Sequence, residues 1–180
     1  MDTDKMNMQI FMVGTGGQGI LLLARALAEI AVRKGHRIIA SETHGMAMRG
    51  GTVTANLKIG SYASPLIPAG SADVLIGLDE TEAGGCLSML NGGGISTVNA
   101  RVKGPFDFFV DATGIALSAH APAAANMVML GFVLKVLGFD LGEATAVIEE
   151  ISPRRGLADN LRCIGLGYEY KQQEDRRGGV

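Results

Sequence analysis

Met8-Gln9-Ile10-Phe11-Met12-Val13-Gly14-Thr15-Gly16-Gly17-Gln18-Gly19 runs straight into the Leu- and Ala-rich segment Ile20 to Val32. Met8 to Val13 is a short apolar run that stops at a glycine, the pattern of a buried strand. Ile20 to Val32 predicts a helix, ended by the basic Lys34 and by Gly35. Between them, Gly14 to Gly19 matches G-x-G-x-x-G in the context the motif needs, after a strand and opening a helix. The first glycine permits a tight turn, the second lets another group approach the backbone, and the third lets the helix pack close to its strand.

Downstream, the apolar runs keep alternating in kind. Ile38 to Ala40 reads as a second short strand. Thr52 to Ile59 alternates Val53, Ala55, Leu57 and Ile59 against Thr52, Thr54, Asn56 and Lys58, a period of two that predicts a strand with one wetter face. After a Ser64-to-Gly70 loop, Val74 to Leu78 predicts a buried strand. Asp79 to Glu82 then opens a helix to about Leu90, its carboxylates suited to the positive end of a helix dipole. Asn91 to Gly94 predicts a turn, Ile95 to Val98 and Phe106 to Val110 two strands, and Asp111 to His120 the start of a helix. Ala123 to Leu137, Gly142 to Ile151 and Leu157 to about Gln172 predict three more helices, with a polar tail from Gln173. The expected fold class is therefore α/β: one domain over residues 1–180, a Rossmann-like, mostly parallel sheet flanked by helices, with a helical C-terminal third.

Composition narrows the function classes. Sixteen Lys and Arg stand against eighteen Asp and Glu, a formal charge of −2, with no basic stripe of the kind a nucleic-acid footprint requires. Aromatic residues are 5% and Trp is absent, which also argues against a base-stacking surface. No apolar run approaches the ~20 residues of a membrane span, and Met1 to Gln9 has no signal-peptide pattern, so the expectation is a cytoplasmic chain with neither membrane nor nucleic acid as partner. The two cysteines, Cys86 and Cys163, cannot supply the four thiolates of an iron–sulfur cluster, and the three histidines have no ligand spacing to one another.

Two loops hold the candidate functional residues. In the first, Gly14 to Gly19, a dinucleotide site would place a ribose-binding carboxylate about 20 residues on, at the end of the second strand. Glu42 lies roughly there. It is also the start of a second unusual loop, Ser41-Glu42-Thr43-His44-Gly45-Met46-Ala47-Met48-Arg49-Gly50-Gly51. An acid, an imidazole and a guanidinium bounded by glycines are costly to bury unpaired, so they converge on one another or on something bound. On these residues alone, a nucleotide site, a packing or interface loop and a plain Glu42–Arg49 ion pair all remain open. Asn126, in an otherwise apolar helix, is expected to bond loop backbone rather than ligand.

The two loops together resemble the gamma-type domain of 2-oxoacid:ferredoxin oxidoreductases. The resemblance continues through Ser64-Pro65-Leu66-Ile67-Pro68, Ala72-Asp73-Val74-Leu75 and Ala125-Asn126-Met127-Val128-Met129-Leu130-Gly131, to the spaced Asn160 and Gly167. Within the family, the His44-Gly45-Met46 form and the short length are most similar to the indolepyruvate type, with the 2-oxoglutarate, pyruvate and branched-chain types close rivals. Met48 departs from the pattern, which commonly has Gln before Arg-Gly-Gly.

The resemblance implies oxidative decarboxylation of a 2-oxoacid to an acyl-coenzyme A, with electrons passed to ferredoxin. It places thiamine diphosphate, magnesium and iron–sulfur clusters on a large partner subunit, with coenzyme A as co-substrate. This chain, which has no Gly-Asp-Gly thiamine signature, would bind no cofactor alone and would support the active site from outside. Gly14, Gly16, Gly17 and Gly19 would set the first loop, with Gln18 offering an amide at its tip. Glu42, His44 and Arg49 would face the partner or a substrate channel, Met46 would pack at an interface, and Gly50 and Gly51 would admit close approach. Association into a homo-oligomer is a further possibility under this resemblance.

Overall fold

The computed structural model describes residues 6–44 and 50–172, the side chain of His44 excepted. Six strands form one sheet: β1 (Met8–Thr15), β2 (Ile38–His44), β3 (Thr52–Ile59), β4 (Ala72–Gly77), β5 (Leu90–Asn99) and β6 (Phe108–Val110). Their spatial order is β2-β3-β1-β4-β5-β6. The pairs β1/β4, β4/β5 and β5/β6 are parallel, whereas β3 runs antiparallel to both β1 and β2. The sheet is thus mixed, parallel in three of its five pairings. A parallel crossover needs a dozen or more residues. Only residues 45–51 separate β2 from β3, so those two strands must run antiparallel.

Helix α1 (Ile20–Arg33) and the C-terminal helices α3 (Ala112–Ser118), α4 (Ala125–Leu137), α5 (Leu141–Ile151) and α6 (Leu157–Glu169) build the larger core. The alternate residues Ile10 and Met12 of β1, Leu57 and Ile59 of β3, and Val74 and Ile76 of β4 face that helical layer. The opposite face is thinner. There Phe11, Val13, Leu75 and Val98 pack with Ala83 of the short helix α2 (Glu80–Gly85), and with Ile67, Ala100 and Phe106 from connecting segments.

Several boundaries differ from the expected ones. The helix after Asp79 ends at Gly85 rather than near Leu90, because consecutive glycines at 84 and 85 are poor helix formers. Asn91 to Gly94 is not a turn but lies inside β5, where a Cβ on Gly94 would crowd the backbone oxygen of Ala72. Phe106 is buried in the thin-face core ahead of β6, which starts at Phe108. Helix α6 stops at Glu169, and Gln172 lies beyond it. The Phe109 N–H donates to Gln172 Oε1 at 3.0 Å, so a side-chain amide serves the outer edge of a three-residue strand.

Helix α4 is buried from Asn126 through Leu134, so its whole circumference must be covered. Its contact with α6 is made backbone to backbone. A Cβ on Gly131 would overlap the Ile164 carbonyl oxygen, and a Cβ on Gly167 would overlap the Val128 carbonyl oxygen. Reciprocal glycines therefore set the distance between the two helices. Gly165, on α6 but facing open space, carries no such constraint. Gly131→Ala is expected to cost about 3 kcal/mol or more by forcing the helices apart, whereas Gly165→Ala should gain about 0.5–1 kcal/mol from helix propensity. Denaturant unfolding of the two variants measures both; equal effects would sink the close-packing account.

Candidate functional site at the carboxyl ends of the parallel strands

The four parallel strands end together. Thr15 closes β1, Leu78 follows β4, Asn99 closes β5, and Asp111 follows β6. Helix α1 leaves β1 toward one face and α2 leaves β4 toward the other. This is a topological switch point, where open α/β sheets form crevices outside the strand ends. Two adjoining clefts lie there. The larger, about 350 Å³, is bordered by Gln18, Leu78, Asp79, Asn99, Arg101 and Asp111, among others. The smaller, about 220 Å³, is bordered by Gly17, Gln18, Asn99, Thr113, Asn126 and Met129, among others.

The first loop is held by its own groups. The Thr15 N–H donates to Gln18 Oε1 at 2.7 Å, and the Gln18 N–H donates to the Thr15 carbonyl at 3.2 Å. The Gly16 N–H donates to the Gly51 carbonyl at 2.9 Å, which clasps the first loop to the second. Gly19 caps α1 with φ +82°, and Asn126 Nδ2 donates to its carbonyl oxygen at 3.3 Å. Thus Asn126, 6% exposed, bonds loop backbone.

This geometry counts against a dinucleotide site. A pyrophosphate cradle draws on free N–H groups at the turn and the helix start, and at this turn those of Thr15, Gly16 and Gln18 are spent within the protein. The ribose carboxylate also fails its test. In a Rossmann unit the second strand lies beside the first, but here β3 stands between β1 and β2. Glu42 is therefore two strand spacings from β1, roughly 10 Å at about 4.8 Å per spacing, on an edge strand and exposed.

The residues singled out from the sequence fall into two groups. Gly14, Gly16, Gly17, Gln18, Gly19, Gly50, Gly51 and Asn126 are in or directly against the clasped loops at the strand ends. Met46 and Arg49 lie outside the described residues, as does the His44 side chain, so the expected Glu42–Arg49 pairing lies there too. Asn99, Arg101, Asp111 and Thr113 were not singled out. Asn99 Nδ2 donates to the Leu78 carbonyl at 3.1 Å and to Thr113 Oγ1 at 3.0 Å, tying β4, β5 and α3 together. Asp111 caps α3 by accepting from the Gly114 N–H at 2.7 Å, with Arg101 Nε at 3.6 Å. A polar residue ending each apolar run was the available signal.

Among the described residues no group of three or more His, Cys, Asp and Glu could hold a metal ion, so the side chains present do not fit a cluster. Burial, followed by Glu82, pushes the Cys86 thiol up, and burial likewise raises that of Cys163. Both shifts run away from the thiolate form that attacks. Among the described residues no helix is long and apolar enough to cross a membrane.

Residues 9–170 match the family model for pyruvate ferredoxin/flavodoxin oxidoreductase. The chain belongs to that family. It is 31% identical to indolepyruvate oxidoreductase subunit IorB of Archaeoglobus fulgidus, over 91% of this chain and 94% of the relative. The crystal structure of pyruvate oxidoreductase subunit PORC from Thermotoga maritima superposes with a TM-score of 0.76 at 29% identity, covering 92% of this chain and 97% of that one. The α/β fold is thus that of the PORC type. The 2-oxoglutarate:ferredoxin oxidoreductase of Magnetococcus marinus shares the fold at TM-score 0.75 and 18% identity, over 92% of this chain but only 31% of that chain. The same unit therefore exists both as a chain of its own length and as a part of a longer one.

Two outcomes follow from the loop geometry. Gly19→Ala should destabilise the protein by about 2 kcal/mol, from left-handed backbone and displacement of Asn126. Gly16→Ala, whose Cβ would sit 3.7 Å from its nearest neighbours, should stay within about 0.5 kcal/mol of the parent. Thermal melts of both variants check this, and a Gly16→Ala loss as large as that of Gly19→Ala would refute it. Separately, calorimetry with NAD, NADP and FAD should show no micromolar site, meaning no binding near −8 kcal/mol.

Proposed function

We propose that this chain is the cofactor-free subunit of a thiamine-diphosphate-dependent 2-oxoacid:ferredoxin oxidoreductase, acting in the cytoplasm as a single domain and inactive by itself. The observation that carries the reading is the near end-to-end overlap with a subunit of indolepyruvate oxidoreductase, 91% of this chain and 94% of that one. An arylpyruvate such as indolepyruvate is the favoured substrate, with coenzyme A as co-substrate and ferredoxin as the acceptor served by the complex. A gamma-type role with pyruvate is the second reading, favoured by the PORC superposition.

The decarboxylation and electron transfer belong to thiamine diphosphate, magnesium and iron–sulfur clusters on a large partner subunit. This chain contributes surface. Its clasped loops, the two clefts and the exposed Val102 and Leu117 lie at or beside the strand ends. Exposed apolar side chains next to a polar cleft are the composition of an interaction face. Glu42, His44 and Arg49 would meet the partner or a substrate channel beside that face, with Met46 packing at the interface.

Reconstitution tests the reading. Purified alone, the chain should be colourless and reduce no viologen dye with indolepyruvate, pyruvate or 2-oxoglutarate. With the large subunit present, reduction should appear with one class of 2-oxoacid. Arg49→Ala should lower the rate of the assembled enzyme at least tenfold while shifting the melting temperature of the free chain by less than about 3 °C, the scale of a sub-kcal/mol change. Turnover by the lone chain, or full activity of the large subunit without it, would remove the basis for the proposal.

A further inference from the structure

The smaller cleft has an unusual polar lining. It is bordered by Gly17, Gln18, Asn99, Thr113, Asn126 and Met129, together with further apolar residues, and by no charged side chain. Asn126 is 6% exposed and lies at the start of the buried helix α4. Its Nδ2 is committed to the Gly19 carbonyl, an acceptor, which fixes the orientation of the amide. Its Oδ1 has no partner among the described residues. The residue borders the cleft.

Gln18 is the complement. Its Oε1 is committed to the Thr15 N–H, a donor, which fixes that amide as well. Its Nε2 is left without a partner among the described residues, on a side chain that borders the same cleft. Asn99 and Thr113, by contrast, satisfy each other: Thr113 Oγ1 accepts from Asn99 Nδ2 at 3.0 Å, and the Thr113 N–H donates to Asn99 Oδ1 at 3.3 Å.

One free acceptor and one free donor therefore stand on residues that border this cleft, whose own lining carries no charge and is otherwise apolar apart from the mutually paired Asn99 and Thr113. A ligand that pairs both amide atoms while covering the apolar lining is favoured over one that pairs only one of them. An anion would face Asn126 Oδ1 without a donor, and a cation would face Gln18 Nε2 without an acceptor. We infer that this cleft is a binding site for a neutral carboxamide, whose N–H donates to Asn126 Oδ1 and whose C=O accepts from Gln18 Nε2. The amide belongs either to a small molecule or to an Asn or Gln side chain of another polypeptide. This assignment is independent of the oxidoreductase reading, because it is tested on the free chain with no turnover.

Benzamide, benzoate and benzamidine share one shape and differ in hydrogen-bonding pattern: donor with acceptor, acceptors only, donors only. They are titrated into the full chain while NMR follows the side-chain amides of Gln18 and Asn126 and the Met129 methyl. Benzamide should bind with a Kd on the order of millimolar, as fragments do, and at least tenfold more tightly than the other two. Gln18→Glu keeps the oxygen that accepts from Thr15 and replaces the free donor with an acceptor, so it should reverse the order and favour benzamidine over benzamide. Ala123→Leu, at the exposed rim, leaves both amides in place and should weaken all three by narrowing the cleft. A propionamide titration separates the sources: tighter binding than benzamide assigns a polypeptide side chain, and weaker binding a ring-borne amide. Absence of benzamide shifts up to about 50 mM, an order of affinities unchanged in folded Gln18→Glu, or affinities undiminished in folded Ala123→Leu, overturns the inference.

Discussion

The contact between α4 and α6 is the constraint on which the rest depends. Two glycines, Gly131 and Gly167, let each helix lie directly on a carbonyl of the other, where any side chain would overlap backbone. That approach covers one flank of α4, while α1, α3, α5 and the sheet cover the others. Only a helix enclosed in this way can be apolar from Met127 to Leu134 without exposing a large apolar surface. The position of α4 in turn fixes the position of its first turn, and with it Asn126.

From Asn126 the constraint passes outward through backbone. Its amide reaches the carbonyl of Gly19, the left-handed residue that starts α1. A side chain on Gly19 would displace that amide, so the loop and the helix beneath it are fitted to each other. Gln18 then closes the turn onto Thr15, and Gly16 reaches the carbonyl of Gly51 in the second loop. A packing contact deep in the helical layer thus sets the geometry of the surface where the parallel strands end. The polar atoms left over at that surface, one acceptor on Asn126 and one donor on Gln18, are consequences of the same fit, because each amide has one end committed to holding the loop.

The sequence made the loop legible as a strand–turn–helix unit but left its purpose open, and the reason is physical. A G-x-G-x-x-G pattern reports that backbone must come close to something; it does not say what. In a dinucleotide site the approaching group is a phosphate, whereas here it is the Gly51 carbonyl on one side and the Asn126 amide on the other. Asn99 and Asp111 carried a weaker signal, since a polar residue closing an apolar run is common whether or not it borders a cleft. The two loops' combined resemblance to the gamma-type domain of 2-oxoacid oxidoreductases pointed to the family more strongly than either loop's local chemistry did.

By itself, the sequence determined what depends on neighbours along the chain. Apolar runs of period two and longer Leu/Ala-rich segments placed β1, β3, α1 and the C-terminal helices, because burial periodicity is written residue by residue. The short stretch of residues 45–51 already excluded a parallel crossover between β2 and β3. What only the tertiary structure decided was which strand lies beside β1. The insertion of β3 there moved Glu42 away from the first loop, out of the place of a ribose-binding carboxylate. Strand order is set by the packing of whole elements against a common core, and no local pattern encodes it. The partner of Asn126 was decided in the same way, across 107 residues of chain, by how closely two glycines let α4 approach α6.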